Sequence, residues 1–488
     1  MMRLKRLIHS FPDLIVKGSK EIEITGICSD SRLVASGNLF VATRGQRYDG
    51  NLFIPDAIAA GASAILTDMF DPFCSAVQLI HPNVPDATAK LCAEYFQHPS
   101  KKLPVIGVTG TNGKTTSCYL IKALLDGAGK QTGLIGTVEW IVGHHRSRQP
   151  LTTPDVITNH KLLKEMVNAG CKAAVMEVSS HALDQNRTGE IDFDIALFTN
   201  FSQDHLDYHS GMEEYRKAKE RLFSGLGEGR TAILNYDDEA RSHFIASTKA
   251  RLITYGLNEG ADLLAKDLTL TDQGIQFTCC HKKEEVLCRS PLIGRFNVYN
   301  LLAALSVGVA MDLPLALSSE LLKNFHQIPG RMERVENRQG LHIFVDYAHT
   351  EDALRSVLRT LCPLKQGKLI TVFGCGGDRD VDKRKKMGMV ASQFSDISIV
   401  TSDNPRGEDP QAIIDQILQG VLPSAKVEVA LNRKEAIRMA IFQACPEDMI
   451  LIAGKGHETQ QVYSDQIFPF DDAKVAAEIC NEKERSCL

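Results

Sequence analysis

The apolar run Val105-Ile106-Gly107-Val108 leads into Gly110-Thr111-Asn112-Gly113-Lys114-Thr115-Thr116, and an amphipathic helical pattern continues from Thr115 to about Ala128. Few sequence features restrict a fold more. A strand that turns through glycines into a helix brings backbone N–H groups and a helix N-terminus to one point, and both attract phosphate. The glycines let the backbone curl there. Lys114 can reach β- and γ-phosphates, and the Thr115 hydroxyl can ligate Mg²⁺. The spacing differs from the general phosphate-loop motif: Val108 stands where that motif sets its first glycine, and Gly107 is the nearest earlier one. Gly-Lys-Thr-Thr after a strand still favours a nucleotide over a plain glycine turn.

Further buried-type strands are expected at Ala173 to Val178 and Ile191 to Phe198, and later at His342 to Val345, Leu369 to Phe373, Ile397 to Thr401 and Met449 to Ile452. Helical patterns separate them, which predicts an α/β chain with mostly parallel, doubly wound sheets. At ~100–200 residues per domain, the length allows two to four domains. The pattern divides at 1–101, 102–329 and 330–488. In the first part, Gly37-Asn38 announces a strand at Leu39 to Ala42, and a helix from Asp56 to Ala64 leads to the strand Ala64-Ile65-Leu66. His98 to Lys102 reads as a linker.

Net charge is -5, with no basic excess to suggest nucleic acid or a membrane surface, so an anionic substrate needs a local basic site. None of the 13 cysteines forms a Cys-x-x-Cys pair. That fits reduced thiols in a cytosol rather than zinc or a disulfide framework. No signal peptide is read at the N-terminus, and no apolar run approaches the ~18 residues of a membrane span.

Two polar clusters follow strands. Glu177 closes Met176-Glu177-Val178-Ser179-Ser180-His181, and His205 lies in Asn200 to His209. Ligands at the carboxyl ends of parallel strands face the binding edge of such a sheet. Each residue alone reads more readily as a satisfied polar side chain. Together, behind a phosphate loop, they favour Mg²⁺, although a histidine is an unusual ligand for it.

At these residues the chain resembles a known family. Gly110 to Thr116, Glu177 with Ser179-Ser180-His181, and Asp204 to His209 are similar to motifs of the Mur ligases of bacterial peptidoglycan synthesis. So are Leu292 to Asn297 with Asn300, Pro329 to Glu333, and Asp346-Tyr347-Ala348-His349-Thr350. The resemblance implies three domains: an N-terminal UDP-binding domain, a central P-loop-type parallel sheet and a Rossmann-like C-terminal domain. It implies an ATP site of Gly110, Thr111, Asn112, Gly113, Lys114, Thr115, Thr116, Asn297, Arg331, Asp346 and His349. Asp30-Ser31-Arg32 and Thr152-Thr153-Pro154 resemble the branch that adds the third peptide residue. On that basis Ser31, Thr152, Thr153, Ser179, Gln185 and Arg187 are expected to hold UDP-MurNAc-L-Ala-D-Glu. Asp403-Asn404-Pro405-Arg406 resembles members that add meso-diaminopimelate. The amino-acid site is then expected to comprise Arg379, Asp403, Asn404, Pro405, Arg406, Gly454 and Glu458.

The implied reaction activates the D-glutamate γ-carboxylate as an acyl phosphate, which the amine of diaminopimelate then attacks. Lys114, Lys219, Glu177 and His205 are the expected catalytic residues. Thr115, Glu177, His205 and Lys219, the last as a carbamate, are the expected metal ligands. Outside the resemblance, Lys219 reads as an exposed helix lysine flanked by Lys217 and Arg221. Glu351 departs from the family's usual proline. A cytoplasmic monomer is expected, with no nucleic-acid partner and no membrane insertion. Two alternatives stay open: a lysine-adding relative, which Arg406 argues against, and a switch that hydrolyses ATP to control a partner.

Overall fold

The structure is a computed structural model that describes residues 1–45, 49–147, 151–206, 208–325 and 327–486; Asp207 of the second polar cluster lies outside them. They form two compact units. The first comprises Met1–Gly110, Leu124–Phe201 and Gly211–Thr254. The second comprises Thr111–Ala123, Ser202–Ser210 and the chain from Tyr255 onward.

The first unit opens with a five-stranded sheet containing Gly26–Cys28, Asn38–Val41, Ala64–Thr67 and Val77–Ile80, all parallel, with Ile15–Lys17 antiparallel at one edge. The helix expected to run to Ala64 covers Ile54–Ala59. The expected linker is a 3-10 turn, Pro99–Lys101, with Pro99 and Ser100 buried. The Ser100 hydroxyl accepts from the Asp192 backbone N–H at 3.1 Å, so this segment is fastened down.

The central strands are β1 (Val105–Thr109), β2 (Thr132–Ile135), β3 (Ala173–Glu177), β4 (Ile195–Phe198) and β5 (Thr231–Asn235). They lie in the order β2-β3-β1-β4-β5, all parallel, with a hairpin on the β2 edge. All five are buried along their length, as expected of strands covered on both faces. Between β1 and β2 runs helix α1 (Lys114–Gly127), within a residue of its predicted limits. Strand β4 starts four residues later than its apolar run suggests. Asp192 and Asp194 both reach Arg230, and Asp194 Oδ2 accepts from the Val105 N–H at 2.8 Å. Ile191 and Phe193 therefore enter the core from a turn.

The second unit has a three-stranded antiparallel meander, Leu263–Thr271, Gly274–His281 and Glu284–Ser290, which the sequence reading did not anticipate. Helix α2 (Arg295–Ala310) follows. A second parallel sheet holds β6 (His342–Asp346), β7 (Leu369–Phe373), β8 (Ile397–Thr401), β9 (Val427–Ala430) and β10 (Met449–Ala453), in the order β6-β10-β7-β8-β9. The two-residue strand Glu333–Arg334 is antiparallel on the β6 edge. Alternate residues split between two cores. Phe344, Phe373, Val400 and Leu451 pack on one face, and Ile343, Val345, Val372, Ile399 and Ile452 on the other. Thr350 caps helix α3 (Glu351–Leu361), and Glu351 sits in its first turn, paired to Arg355 at 2.7 Å. An acid at a helix N-terminus is favourable, so this departure from proline costs the turn little. Among the described residues no helix is long and apolar enough to cross a membrane.

Candidate active site

Gly110 has φ +145° and Gly113 φ +84°, conformations that side chains rarely adopt. A Cβ on Gly110 would lie 1.9 Å from Thr199 Oγ1, at the end of the neighbouring strand β4. Gly107, inside β1, faces Phe193 and belongs to the core rather than the loop. Gly110→Ala is expected to lower ATP-dependent phosphate release by about 10²-fold, the scale on which a small misplacement of a catalytic loop acts. Steady-state kinetics beside a melting curve would check it; an unchanged rate would mean that the loop tolerates the shift.

In the second unit, Lys114 Nζ donates to Thr111 O at 2.7 Å, and Asn112 is exposed at the loop apex. Thr111 Oγ1 donates to Ser202 O and accepts from Ser202 N, at 3.1 and 3.0 Å. Thr116 is buried in the first turn of α1, and Thr115 Oγ1 accepts from Arg331 Nη2 at 3.2 Å. Arg331 also lies over the Tyr347 ring, 4.8 Å from its centroid, and its buried Nε has no hydrogen-bond partner among the described residues. Ser117, Asn300 and Asn297 form a chain ending on Ile293 O, which fixes the first turn of α2 beside α1.

Asp346 is buried, and its two oxygens accept from Met332 N (2.8 Å) and Ala348 N (2.9 Å). Burial raises its pKa, against the pull of Arg331 and those two amides. It anchors the segment after Gly330 to the end of β6. His349 Nδ1 meets Tyr347 O at 2.9 Å. His205 has φ +55°, with its Nε2 3.5 Å from Asp204 Oδ2.

In the first unit, Glu177 ends β3 with its side chain buried. Its Oε1 accepts from Thr137 N and its Oε2 from Thr137 Oγ1, both at 2.9 Å. Thr137 Oγ1 lies 3.0 Å from Thr152 Oγ1. Thr153 Oγ1 donates to Glu177 O at 2.7 Å and accepts from Ser179 N at 3.1 Å. Arg187 donates to Thr153 O at 3.0 Å, and its Nε and Nη2 both reach Gln185 Oε1. Thr152, Thr153, Ser179, Gln185 and Arg187 thus form one hydrogen-bonded patch around Glu177. Ser31 lies apart from it in sequence and sheet, in the short 3-10 helix Ser31–Leu33 that Asp30 caps.

Lys219 is not an exposed helix lysine. It is 1% exposed, on the inner face of Met212–Ser224. Its Nζ donates to Gly110 O at 2.9 Å and sits 4.3 Å from the Tyr215 ring centroid. Among the described residues no three His, Cys, Asp or Glu side chains group as a metal site. The oxygens of Thr115 and Glu177 are nevertheless the hard donors that Mg²⁺ takes, and it usually completes its shell with water and substrate phosphate. His205 suits it less.

The amino-acid candidates gather where β7, β8 and β10 end. Asp403 and Asn404 are buried, and Arg406 has φ +54°. Arg406 Nη1 donates to Gly377 O at 2.8 Å, while Gly377 N donates to Asn404 O at 2.9 Å. A Cβ on Gly377 would lie 1.8 Å from Pro405 O. One on Gly376 would lie 2.8 Å from Arg406 Nη1 and 3.9 Å from Arg379 Cγ. Two arginines therefore flank one bare backbone position. Gly454 has φ +114° and faces Asp403 Oδ2, and Glu458 Oε2 accepts from Asn404 Nδ2 at 2.8 Å.

Beneath this turn lie residues that no sequence motif singles out. Arg384, wholly buried, donates from Nη1 and Nη2 to the two oxygens of Glu408, each at 2.8 Å. Those bonds, with one from Asp378 N, push the Glu408 pKa down to about 2. A depressed carboxylate stabilises the fold above its unfolded pKa and loses that contribution as pH falls toward the folded value. Glu408→Gln is expected to lower the melting temperature at pH 7, with the gap to wild type closing between about pH 5 and 2. A gap constant across that range would refute the pair's contribution. Arg433 and Asp472 form a buried pair, and Arg433 also donates to Ala453 O and Ser402 O, at the ends of β10 and β8. Lys455, between Gly454 and Gly456, is buried as well.

Three family models match the chain: "Mur ligase family, catalytic domain" over residues 23–95, "Mur ligase middle domain" over 108–308, and "Mur ligase, glutamate ligase domain" over 330–456. The UDP-N-acetylmuramoyl-L-alanyl-D-glutamate–2,6-diaminopimelate ligase of Chlamydia caviae is 44% identical over 483 residues, 98% of this chain and 99% of the relative. The ligase of the same name from Bacillus cereus is 41% identical, covering 98% of each. A solved structure of a ligase of that name superposes with a TM-score of 0.71 at 32% identity, over 98% of this chain and 99% of the other.

Proposed function

The chain belongs to the Mur ligase family, and we propose that it joins meso-diaminopimelate to the D-glutamate γ-carboxylate of UDP-MurNAc-L-Ala-D-Glu at the expense of ATP, as a cytoplasmic step of peptidoglycan synthesis. The observation that supports the choice of amine is that Arg406 Nη1 and Arg379 Cγ both border Gly376, with Asp403 Oδ2 at Gly454 and Glu458 hydrogen-bonded to Asn404. Diaminopimelate bears a distal carboxylate that lysine lacks, and an arginine fork takes a carboxylate in two parallel bonds. Asp403 and Glu458 suit the ammonium of the same end. The domain division at 101 and 329 is part of this reading.

The γ-carboxylate attacks the γ-phosphorus of ATP, giving an acyl phosphate and ADP. The amine then attacks the acyl carbon and phosphate leaves. Both steps gather negative charge on oxygens, and fixed donors aimed at that charge are the strongest catalytic aid. Lys114 and the N–H groups of Gly110 to Thr116 supply them. Arg331 sits on Thr115 Oγ1 and adds a second cation to the phosphate side. Asn297, Asp346 and His349 complete the ATP site, as the family resemblance implies. Thr152, Thr153, Ser179, Gln185 and Arg187, with Ser31, receive the nucleotide-dipeptide. Thr115, Glu177, His205 and a carbamylated Lys219 would hold Mg²⁺, which offsets phosphate charge when bound.

The test is phosphate release from ATP with UDP-MurNAc-L-Ala-D-Glu, comparing meso-diaminopimelate with L-lysine. Release that requires the nucleotide substrate and strongly prefers diaminopimelate is the expected result. Preference for lysine keeps the ligase and overturns the amine; release needing neither substrate points to an ATP-hydrolysing switch.

A further inference from the structure

Lys455 has no side-chain exposure. Its Nζ donates to Asn404 Oδ1 at 3.1 Å, Glu458 Oε2 at 2.9 Å and Gln460 O at 2.6 Å. Three acceptors use the three N–H bonds of an ammonium. The arrangement fixes more than the lysine. Asn404 Oδ1 also accepts from Val462 N at 3.0 Å, so the amide can point its Nδ2 only toward Glu458. Glu458 Oε2 is thereby held by two donors, while its Oε1 carries no hydrogen bond among the described residues. The same Val462 accepts from Arg406 N through its carbonyl, at 3.0 Å. One buried ammonium thus sets the orientation of Asn404 and Glu458, and through Val462 the seat of Arg406.

Charge points the same way. Lys455 adds one buried cation to the amino-acid site, while the Arg433–Asp472 pair beside it is neutral in itself. Lysine brings a net positive charge, whereas diaminopimelate is neutral and carries the extra carboxylate. Shielded from water, the Lys455 charge is weakly screened. It disfavours the cationic competitor and favours the diacid.

We infer that Lys455 is a positioning residue that sets the discrimination between the diacid amine and lysine. This rests on the reading above that diaminopimelate is the amine. In full-length protein, Lys455→Met is expected to raise the KM for diaminopimelate by at least about 30-fold and to shrink the diaminopimelate-to-lysine ratio of kcat/KM by at least about 10-fold, with KM for ATP within about twofold. Lys455→Arg keeps the charge but not the three-point geometry. It is expected to retain the ratio within about threefold while the KM for diaminopimelate still rises. An unchanged ratio in folded Lys455→Met overturns the inference. So does an equal loss in all three substrates, which marks a purely structural lysine. Should Lys455→Met not fold, Lys455→Arg decides, and a wild-type KM for diaminopimelate there overturns the positioning role. Wild-type protein that prefers lysine defeats the assignment of the amine instead, and the inference falls with it.

Discussion

Replacing Arg406 by alanine should raise the KM for meso-diaminopimelate by about 10²-fold or more and leave that for ATP nearly unchanged, since losing one partner of a desolvated charge pair costs about 2–5 kcal/mol. The side chain is held in advance. Its residue takes φ +54°, its backbone is tied to Val462, and one guanidinium N–H is spent on Gly377 O. That leaves the rest of the fork for a carboxylate without the entropy cost of ordering a free arginine. Arg406→Lys keeps the charge and loses the planar fork, so most of the loss should persist. Initial-rate measurements with each substrate varied in turn separate the possibilities. Equal rises in the ATP and diaminopimelate constants would remove Arg406 from the amino-acid site.

Arg406 was legible because the contiguous run Asp403-Asn404-Pro405-Arg406 resembles a motif of the family, and its place after a buried strand sets it at the binding edge of a parallel sheet. The phosphate loop was legible for the same reason, since its glycines, lysine and threonines are contiguous. What stayed hidden depends on distant pairing. Thr137 meets Glu177 only because β2 and β3 are neighbours in register, and nothing in Gly136-Thr137 announces that. Arg433 finds Asp472 across two elements, and Arg384 finds Glu408 likewise. Lys219 shows the converse. Charged neighbours at Lys217 and Arg221 suggested an exposed face, yet one helical position carried it inward. Composition around a residue fixes its average surroundings, and a single turn of helix decides the rest. The meander from Leu263 to Ser290 was missed because its partly exposed strands lack the continuous apolar runs of the central sheet.

That inward lysine carries the largest expected effect. Lys219→Ala should lower kcat by about 10³-fold, the scale on which a single electrostatic contributor to a phosphoryl or acyl transition state acts. Two chemistries compete. As an ammonium, Lys219 would bring positive charge toward the loop. As a carbamate, formed when the neutral amine adds CO₂ and releases a proton, it would offer an oxygen anion. The donor bond to Gly110 O is compatible with both, because a carbamate nitrogen keeps one N–H. Small molecules separate them. The truncated side chain leaves a cavity beside the Tyr215 ring, where a short ion can enter. Acetate or formate restoring several-fold of the Lys219→Ala rate, where chloride at equal ionic strength does not, is the outcome expected for a carbamate. Recovery by methylamine alone would assign the cation instead and remove Lys219 from the oxygen ligands proposed for Mg²⁺.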